Sequence, residues 1–221
     1  MKPRRSNQSN QAMTLTEVLV VTVVLAVLVA VLLPAFITDN PRDPRYFRIN
    51  CVNNLKQVGL AFRMWSGDNK DKFPMEIPIA SGGTMELAAN GDVVATFQIM
   101  SNELSTPKIL FCPADTNHVL AKNFGANFTT KNISYFIGLD ANTNRSQAFI
   151  SGDDNFAVGG VPVKSGLLEI STNAPITWTA TRHKFAGNIG LADGSALEVN
   201  DQQLVQRLIE SGLATNRLAI P

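Results

Sequence analysis

Two residues in the last fifth of the chain, His183 and Asp193, are of types that bind metals or transfer protons. A shared site would need their side chains to lie together. Ten residue steps at about 3.3 Å each would separate them by roughly 33 Å in an extended strand, so the chain would have to bend strongly. The spacing therefore favours structural roles, in which His183 anchors the start of a β-hairpin and Asp193 forms its turn with Gly194.

The segment DANTNRSQAF has the alternating oxygen ligands of a calcium loop at Asp140, Asn142 and Asn144. An EF-hand requires Gly where Arg145 stands and an acidic residue where Ser151 stands. The EF-hand interpretation therefore fails.

Other carboxylates could still bind calcium in an irregular loop. They are Asp153 with Asp154, and Asp68 with Asp71. An ordinary solvated turn is the simpler interpretation of both pairs. We therefore expect no resident metal or cofactor, with Asp153 and Asp154 as weak calcium candidates.

The chain offers little for catalysis. Its only histidines are His118 and His183, so zinc chemistry is poorly supplied, and no Ser-His-Asp arrangement can be assigned. GxSxG, P-loop and dinucleotide signatures are absent from the sequence. The net charge is +1 and no run of Lys and Arg occurs, which argues against nucleic-acid binding. We expect no enzymatic activity and no nucleic-acid partner.

The remaining chemical group of interest is Glu17, which heads a segment without another ionisable residue from Val18 to Thr38. These 21 residues give roughly 32 Å of helix, enough to cross a bilayer core. A secretory signal peptide has a shorter apolar run of about 7 to 15 residues. The basic residues near the start keep the amino terminus in the cytoplasm, which places the C-terminal domain in the periplasm or outside the cell. The prediction is a single-pass inner-membrane protein.

A carboxylate at bilayer depth usually has a partner, although at the interface it can also reach water. The polar leader, the sequence AMTLTE and the apolar run together resemble the amino terminus of type IV pilins and type II secretion pseudopilins. The resemblance implies cleavage by a prepilin peptidase between Ala12 and Met13, followed by methylation of the Met13 amine. Glu17 then becomes the fifth mature residue and Pro34 the twenty-second, as in that family. Ala12 departs from the family's usual Gly.

The family resemblance also gives Glu17 and Pro34 roles in assembly. Glu17 of one subunit would meet the cationic terminal amine of a neighbour, where the opposite charge offsets the cost of burial. Pro34 removes one helical hydrogen bond and favours a kink or local melting.

Three further segments resemble a pilin-like family of the Planctomycetes and Verrucomicrobia type. The first is CVNNLKQVGLAFRMWSGDNKDKFP, with NNLKQ in a helix followed by an aspartate-asparagine loop and Phe-Pro. The second is ILFCPAD and the third is RHKFAGNIGLADG. The last is the H-X9-DG signature, formed by His183, Asp193 and Gly194. The segments occur in the family's order.

Cys51 and Cys112 are the only cysteines, and each lies in one of these family-like segments. In an oxidising compartment the pair tends to bond. A disulfide between the two is therefore expected, with two buried thiols as the alternative.

The elements predicted around these residues give an α+β, pilin-like fold. A stalk helix capped by Asn40 or Asp43 places apolar residues at steps of three and four and ends at Gly67; they are Phe47, Cys51, Leu55, Val58, Phe62 and Trp65. It packs on a small antiparallel sheet. Short strands are predicted over 93–99, 108–111, 134–137 and 148–150, and a hairpin over 187–191 and 195–199. A final helix, with Gln203 placed for capping, starts at Asn200 or Asp201 and stops near Gly212.

The predicted organisation is a leader peptide over 1–12, a transmembrane and polymerisation helix over 13–38, a linker and stalk helix over 39–66, and an extracytoplasmic domain over 67–221. The expected function is a structural subunit of a type II secretion pseudopilus or type IV-like filament. Its partners would be the prepilin peptidase, other pilin or pseudopilin subunits and an inner-membrane assembly platform. The alternative is a membrane-anchored extracytoplasmic surface- or carbohydrate-binding protein.

Overall fold

A computed structural model describes residues 14–37 and 44–221 of the chain. The protein is α+β, as predicted, with an apolar N-terminal helix and antiparallel sheets. Its α-helices are α1 (Leu15–Ile37), α2 (Pro44–Asp68), α3 (Met85–Ala89), α4 (Val93–Ile99), α5 (Ser101–Leu104) and α6 (Asp201–Glu210). Its strands are β1 (Tyr135–Gly138), β2 (Phe149–Asp153), β3 (Phe156–Val158), β4 (Val161–Pro162), β5 (Gly166–Ser171), β6 (Ile176–Trp178), β7 (Gly187–Leu191), β8 (Ala196–Val199) and β9 (Thr215–Ile220).

Helix α1 forms a unit of its own, and α2 belongs with everything after it. The predicted cap residues Asn40 and Asp43 and most of the predicted linker lie outside the described residues. The buried face of α2 is the predicted one from Cys51 onward, through Leu55, Val58, Phe62 and Trp65. The helix ends at Asp68, one residue beyond the predicted Gly67.

The main sheet has six strands in the order β5-β9-β1-β2-β7-β8, with antiparallel neighbours. Its two faces bury different residues because side chains alternate along a strand. On β1, Phe136 enters one hydrophobic cluster and Ile137 the other, and Phe149 and Ile150 divide in the same way on β2. The sheet is therefore a central layer between two cores.

Helix α2 packs on one side of this sheet against β2, β7 and β8. The cluster on that side also includes residues of α3, α4 and α5. The other cluster includes α6 and the second, three-stranded sheet β4-β3-β6. The hairpin β7–β8 thus lies directly against α2, as the predicted packing requires.

Two predicted strands are wrong. Residues 93–99 form α4, because Asp92 caps the segment by accepting hydrogen bonds from the N–H groups of Val94 and Ala95. The prediction for 108–111 fails because Pro107–Leu110 is a 3-10 turn with Pro at its first position and Thr106 as its cap.

The other predicted elements are present. β1 and β2 lie where strands were expected, and β7 and β8 form the hairpin. Helix α6 begins with the predicted capping box between Asn200 and Gln203. The C-terminal strand β9 was not predicted, and it pairs with both β1 and β5.

Candidate functional site

Helix α1 is long and apolar enough to cross a membrane, a test that an N-terminal signal sequence also passes. None of its span from Leu15 to Leu33 is buried in the described structure. The helix continues through Pro34 to Ile37. A kink or local melting at Pro34 in the membrane or the filament stays a prediction. Ala12 and Met13, the predicted cleavage site, lie outside the described residues.

Glu17 lies in the first turn of α1 and completes a capping box with Thr14. Its Oε2 accepts hydrogen bonds from the backbone N–H of Thr14 at 2.8 Å and from the Thr14 hydroxyl at 3.0 Å. The N–H of Glu17 donates back to the Thr14 hydroxyl at 3.3 Å. A side-chain role in helix capping is thus available to Glu17 without any other subunit.

The predicted Cys51–Cys112 disulfide is present. The Cα atoms are 5.5 Å apart, within the ordinary range for such a bond. Both side chains are fully buried. The bond joins α2 to the segment that precedes β1.

His183 lies beside this disulfide. Its Nε2 is 3.4 Å from Sγ of Cys112 and 3.5 Å from Oδ2 of Asp153. Burial is the main cause that lowers the pKa of His183 to about 4, with the charges of Arg182 and Arg48 acting in the same direction. The imidazole is therefore neutral near pH 7.

A strained turn holds His183 in place. The neighbouring residues Arg182, Lys184 and Phe185 have φ angles of +68°, +53° and +62°, in the left-handed region that non-glycine residues rarely adopt. Such conformations cost about 1 kcal/mol or more each and persist only where the surroundings fix them. The turn directs Arg182 and His183 into the protein and leaves Phe185 exposed.

The other end of the H-X9-DG motif is the turn of the β7–β8 hairpin. Asp193 Oδ1 accepts hydrogen bonds from the N–H and the hydroxyl of Ser195 at 2.8 and 2.6 Å. Gly194 has φ +89° and lies against Gly59 of α2, where a Cβ on Gly59 would be 3.0 Å from Gly194 Cα. His183 and Asp193 do not share a site.

The motif therefore attaches the hairpin to α2 at two places. His183 lies beside the disulfide of Cys51, and Gly194 lies against Gly59, eight residues or about 12 Å further along the helix. This arrangement accounts physically for a His and an Asp-Gly pair separated by one strand.

Next to His183, Arg182 is the centre of a buried ionic cluster. Its Nη2 is 2.6 Å from Oδ2 of Asp115 and also pairs with Asp154, and its Nη1 is 3.8 Å from Oδ1 of Asp153. His118 contributes a contact of 2.7 Å from Nδ1 to Oδ2 of Asp115. Three carboxylates thus share one guanidinium.

The three carboxyl groups differ in their proton affinity. Burial raises the pKa of Asp153 and of Asp154 to about 6, although Arg182 acts in the opposite direction. Burial also acts to raise the pKa of Asp115, but the hydrogen bond with His118 and the charge of Arg182 hold it well below its usual range. Asp115 is therefore the carboxylate most firmly ionised.

The expectation of a solvated turn at Asp153 and Asp154 is wrong. Asp153 is the last residue of β2 and is fully buried, and its Oδ2 accepts hydrogen bonds from the N–H and the side-chain amide of Asn188 at 2.7 and 2.8 Å. Calcium binding by this pair stays a prediction. Asp140 is paired with Arg217 at 2.6 Å, and Asp68 and Asp71 are exposed near the end of α2.

A polar pocket of about 240 Å³ opens beside the ionic cluster. Its lining is mainly hydrogen-bonding side chains, including Asn117, His118, Asp154, Asn155, Thr179 and Thr181. Asn155 is 6% exposed, and its Oδ1 has no hydrogen-bond partner in the described structure. One buried acceptor in the lining therefore has no partner in the described structure.

Sequence reasoning missed Arg182, Asp115 and His118 as members of one cluster. Arg182 directly precedes His183, and Asp115 ends the quoted segment ILFCPAD, so the signals were adjacent to recognised motifs. Comparison with protein-family models, with characterised proteins and with solved structures gave no match to this chain.

Proposed function

We propose that this chain is a pilin-like structural subunit that is cut between Ala12 and Met13 by a prepilin peptidase, methylated on Met13, and assembled through α1 into a type II secretion pseudopilus or type IV-like filament. The supporting observation is the single carboxylate of Glu17 at the head of an exposed apolar helix. Its partners are the prepilin peptidase, related subunits and an inner-membrane assembly platform. The proposed role is structural and not enzymatic.

An exposed apolar helix of this length is stable only in lipid or among other apolar helices. The exposed side chains of α1 include the consecutive residues Val18, Leu19, Val20 and Val21, which point to every side of the helix. A bilayer satisfies them before assembly, and lateral packing of α1 against other subunits satisfies them afterwards.

A charged group within such a bundle requires a partner. Glu17 in the membrane centre would cost about 2.5 to 3.5 kcal/mol by insertion scales, and less near an end. Cleavage before Met13 creates a cationic amine four residues from Glu17 along the chain, and an identical amine on each neighbouring subunit. Pairing between subunits then fixes their axial register, since the two groups attract each other strongly where water is excluded.

The outward side of α2 offers a second surface for lateral packing. Four exposed apolar residues lie on one face, opposite the face that contacts the sheet: Tyr46 at 42%, Ile49 at 61%, Leu60 at 57% and Met64 at 52% exposure. Asn53 and Gln57 lie between the two pairs on that face. In the proposed filament, these two separate apolar pairs contact a neighbouring subunit.

Two substitutions of Glu17 separate the proposed charge pairing from helix capping. Glu17→Gln keeps an oxygen that can accept from Thr14 but removes the charge, whereas Glu17→Ala removes both. If Glu17 pairs with a neighbouring amine, both variants should insert into the membrane and be absent from sheared filaments. Thr22→Ala, which removes only the hydroxyl bonded to the Leu19 carbonyl, is the matched control and should assemble normally.

The readout is the amount of subunit in the filament fraction relative to the membrane fraction. Normal assembly of Glu17→Gln together with failure of Glu17→Ala would assign Glu17 to capping alone. Normal assembly of both variants would contradict the proposal and favour a plain membrane anchor.

The pocket beside Arg182 favours one second candidate, an anchored extracytoplasmic surface- or carbohydrate-binding protein. Its volume of about 240 Å³ and its amide, carboxylate and hydroxyl lining suit a hydroxyl-rich ligand. For this function, Asn155→Ala should abolish retention of the protein on surface polysaccharide, while Glu17→Ala should leave it intact.

A further inference from the structure

Four side chains of metal-binding type converge in the interior next to α2. They are Cys51, Cys112, Asp153 and His183, each 2% exposed or less. One ligand atom from each of them lies within 4.8 Å of the ligand atoms of the other three. In the described structure the two sulfurs are bonded to each other, so the set is closed to a metal in this state.

Two of the contacts that do not involve the sulfur–sulfur bond, both made by His183, already have the spacing of a zinc site. Zinc in a tetrahedral site lies about 2.3 Å from sulfur and about 2.0 Å from nitrogen or oxygen, so neighbouring ligand atoms are roughly 3.3 to 3.8 Å apart. His183 Nε2 is 3.4 Å from Sγ of Cys112 and 3.5 Å from Oδ2 of Asp153. The other pairs lie within 4.8 Å, and the two sulfurs must separate from their bonded distance.

The surroundings also suit zinc. Asn188 donates two hydrogen bonds to Asp153 Oδ2, which fixes the carboxylate in the way that outer partners orient metal ligands. Two thiolates, one carboxylate and one zinc ion carry a net charge of −1. The Arg182 guanidinium, 3.8 Å from the other oxygen of Asp153, supplies a neighbouring positive charge.

We propose that the reduced chain binds one zinc ion through Cys51, Cys112, His183 and Asp153, and that this zinc site and the disulfide are alternative states of the same four side chains. In the unfolded chain, where the bond is accessible, a dithiol reductant supplies two electrons and two protons, which convert the disulfide to two thiols while the dithiol becomes a disulfide. Zinc then binds both sulfurs as thiolates and releases two protons.

Burial determines when the zinc form can occur. Both sulfurs are fully buried, so a reductant cannot reach the bond in the folded protein. Zinc is therefore bound by a newly folded chain whose cysteines have not yet been oxidised. The ion holds α2 next to the segment before β1 until the site opens to a disulfide oxidant. The oxidant accepts two electrons from the thiolates and two protons from water and becomes a dithiol, Cys51 and Cys112 form their disulfide, and Zn²⁺ is released.

Cobalt substitution gives a direct test. The full chain in detergent micelles is unfolded in denaturant that contains a phosphine reductant. It is then refolded anaerobically with Co²⁺. We expect thiolate-to-cobalt charge-transfer bands and the intense visible bands of a tetrahedral site, both lost when zinc is added. The oxidised chain should give neither.

Variants identify the third ligand. His183→Gln should weaken Co²⁺ binding at least tenfold, whereas His183→Cys should keep tetrahedral binding with stronger charge-transfer bands. His118→Gln alters the chain's only other histidine and should leave binding unchanged. Equal binding by His183→Gln and His118→Gln would overturn the site.

X-ray absorption of the zinc-loaded wild type identifies the ligands of the zinc ion even if His183→Gln does not fold. We expect two sulfur neighbours at about 2.3 Å and two nitrogen or oxygen neighbours, including an imidazole, at about 2.0 Å. A reduced wild type that binds neither metal, or a spectrum without imidazole, would overturn the proposal.

Discussion

Gly194, in the turn of the β7–β8 hairpin, lies directly against Gly59 of α2, so that a Cβ on Gly59 would be 3.0 Å from the Cα of Gly194. The atoms in the way belong to the backbone of the turn, which cannot rotate aside as a flexible side chain would. The close approach of helix and hairpin therefore depends on the absence of a side chain at Gly59.

Gly59→Ala should lower the free energy of unfolding by about 1 to 2 kcal/mol, because the hairpin must shift despite the better helix propensity of Ala. Gly67→Ala, in the same helix with nothing within 4 Å of its Cβ, is the control and should be neutral or more stable by up to about 1 kcal/mol. Urea unfolding of the full chain in detergent, followed by tryptophan fluorescence, measures both. Equal stability of the two variants would contradict the close contact.

Removing the disulfide should cost far more. The bond joins residues 61 positions apart, and closing a loop of that length stabilises a protein by about 4 kcal/mol through the unfolded chain. The double variant Cys51→Ala/Cys112→Ala should lose about that amount in the same unfolding measurement, and Cys51→Ala alone should lose nearly as much. A loss below about 1 kcal/mol in the double variant would show that the bond does not restrain the native chain.

The Asp115–Arg182 pair should make stability depend on pH in the acid range. The pKa of folded Asp115 lies below its ordinary 3.8, so its ionised form stabilises the folded state. That contribution is complete above about pH 4 and is lost as the pH falls further. Asp115→Asn should therefore lower the free energy of unfolding by about 3 kcal/mol at pH 7, with a difference from wild type that shrinks below about pH 4.

Asp68→Asn is the control for this measurement, because Asp68 is exposed at the end of α2. Asp68→Asn should change the free energy of unfolding by less than about 0.5 kcal/mol, both at pH 7 and below about pH 4. A difference between Asp115→Asn and wild type that stays constant down to pH 3 would rule out the proposed linkage.

The most accurate predictions from the sequence concern the elements that are specified by neighbouring residues. The Asp193-Gly194 turn, the Asn200–Gln203 capping box and the apolar face of α2 each depend on residues within one or two turns of one another. Such local signals need no knowledge of the rest of the fold.

The mistaken strand at 93–99 shows where composition misleads. Its Val-rich sequence favours a strand, but the Asp92 cap and the burial of Val93, Thr96 and Phe97 at helical spacing outweigh that preference. The Gly91-Asp92 pair before the segment was the available signal for a helix start.

The ionic cluster was beyond sequence reasoning for a different reason. Asp115, Asp153 and Arg182 are far apart in the chain and meet only because the segment before β1, the end of β2 and the turn before β7 converge. The inward direction of Arg182 depends on its left-handed backbone, which no nearby Gly or Pro announces.

The proposed function depends most on cleavage between Ala12 and Met13 and on methylation of the new amine. Intact-mass and terminal-peptide analysis of the protein purified from its native membrane measures both directly. The proposal predicts a chain that begins at Met13 with a methylated α-amine. A chain that retains Met1, or one that begins at another residue within the apolar segment, would contradict it.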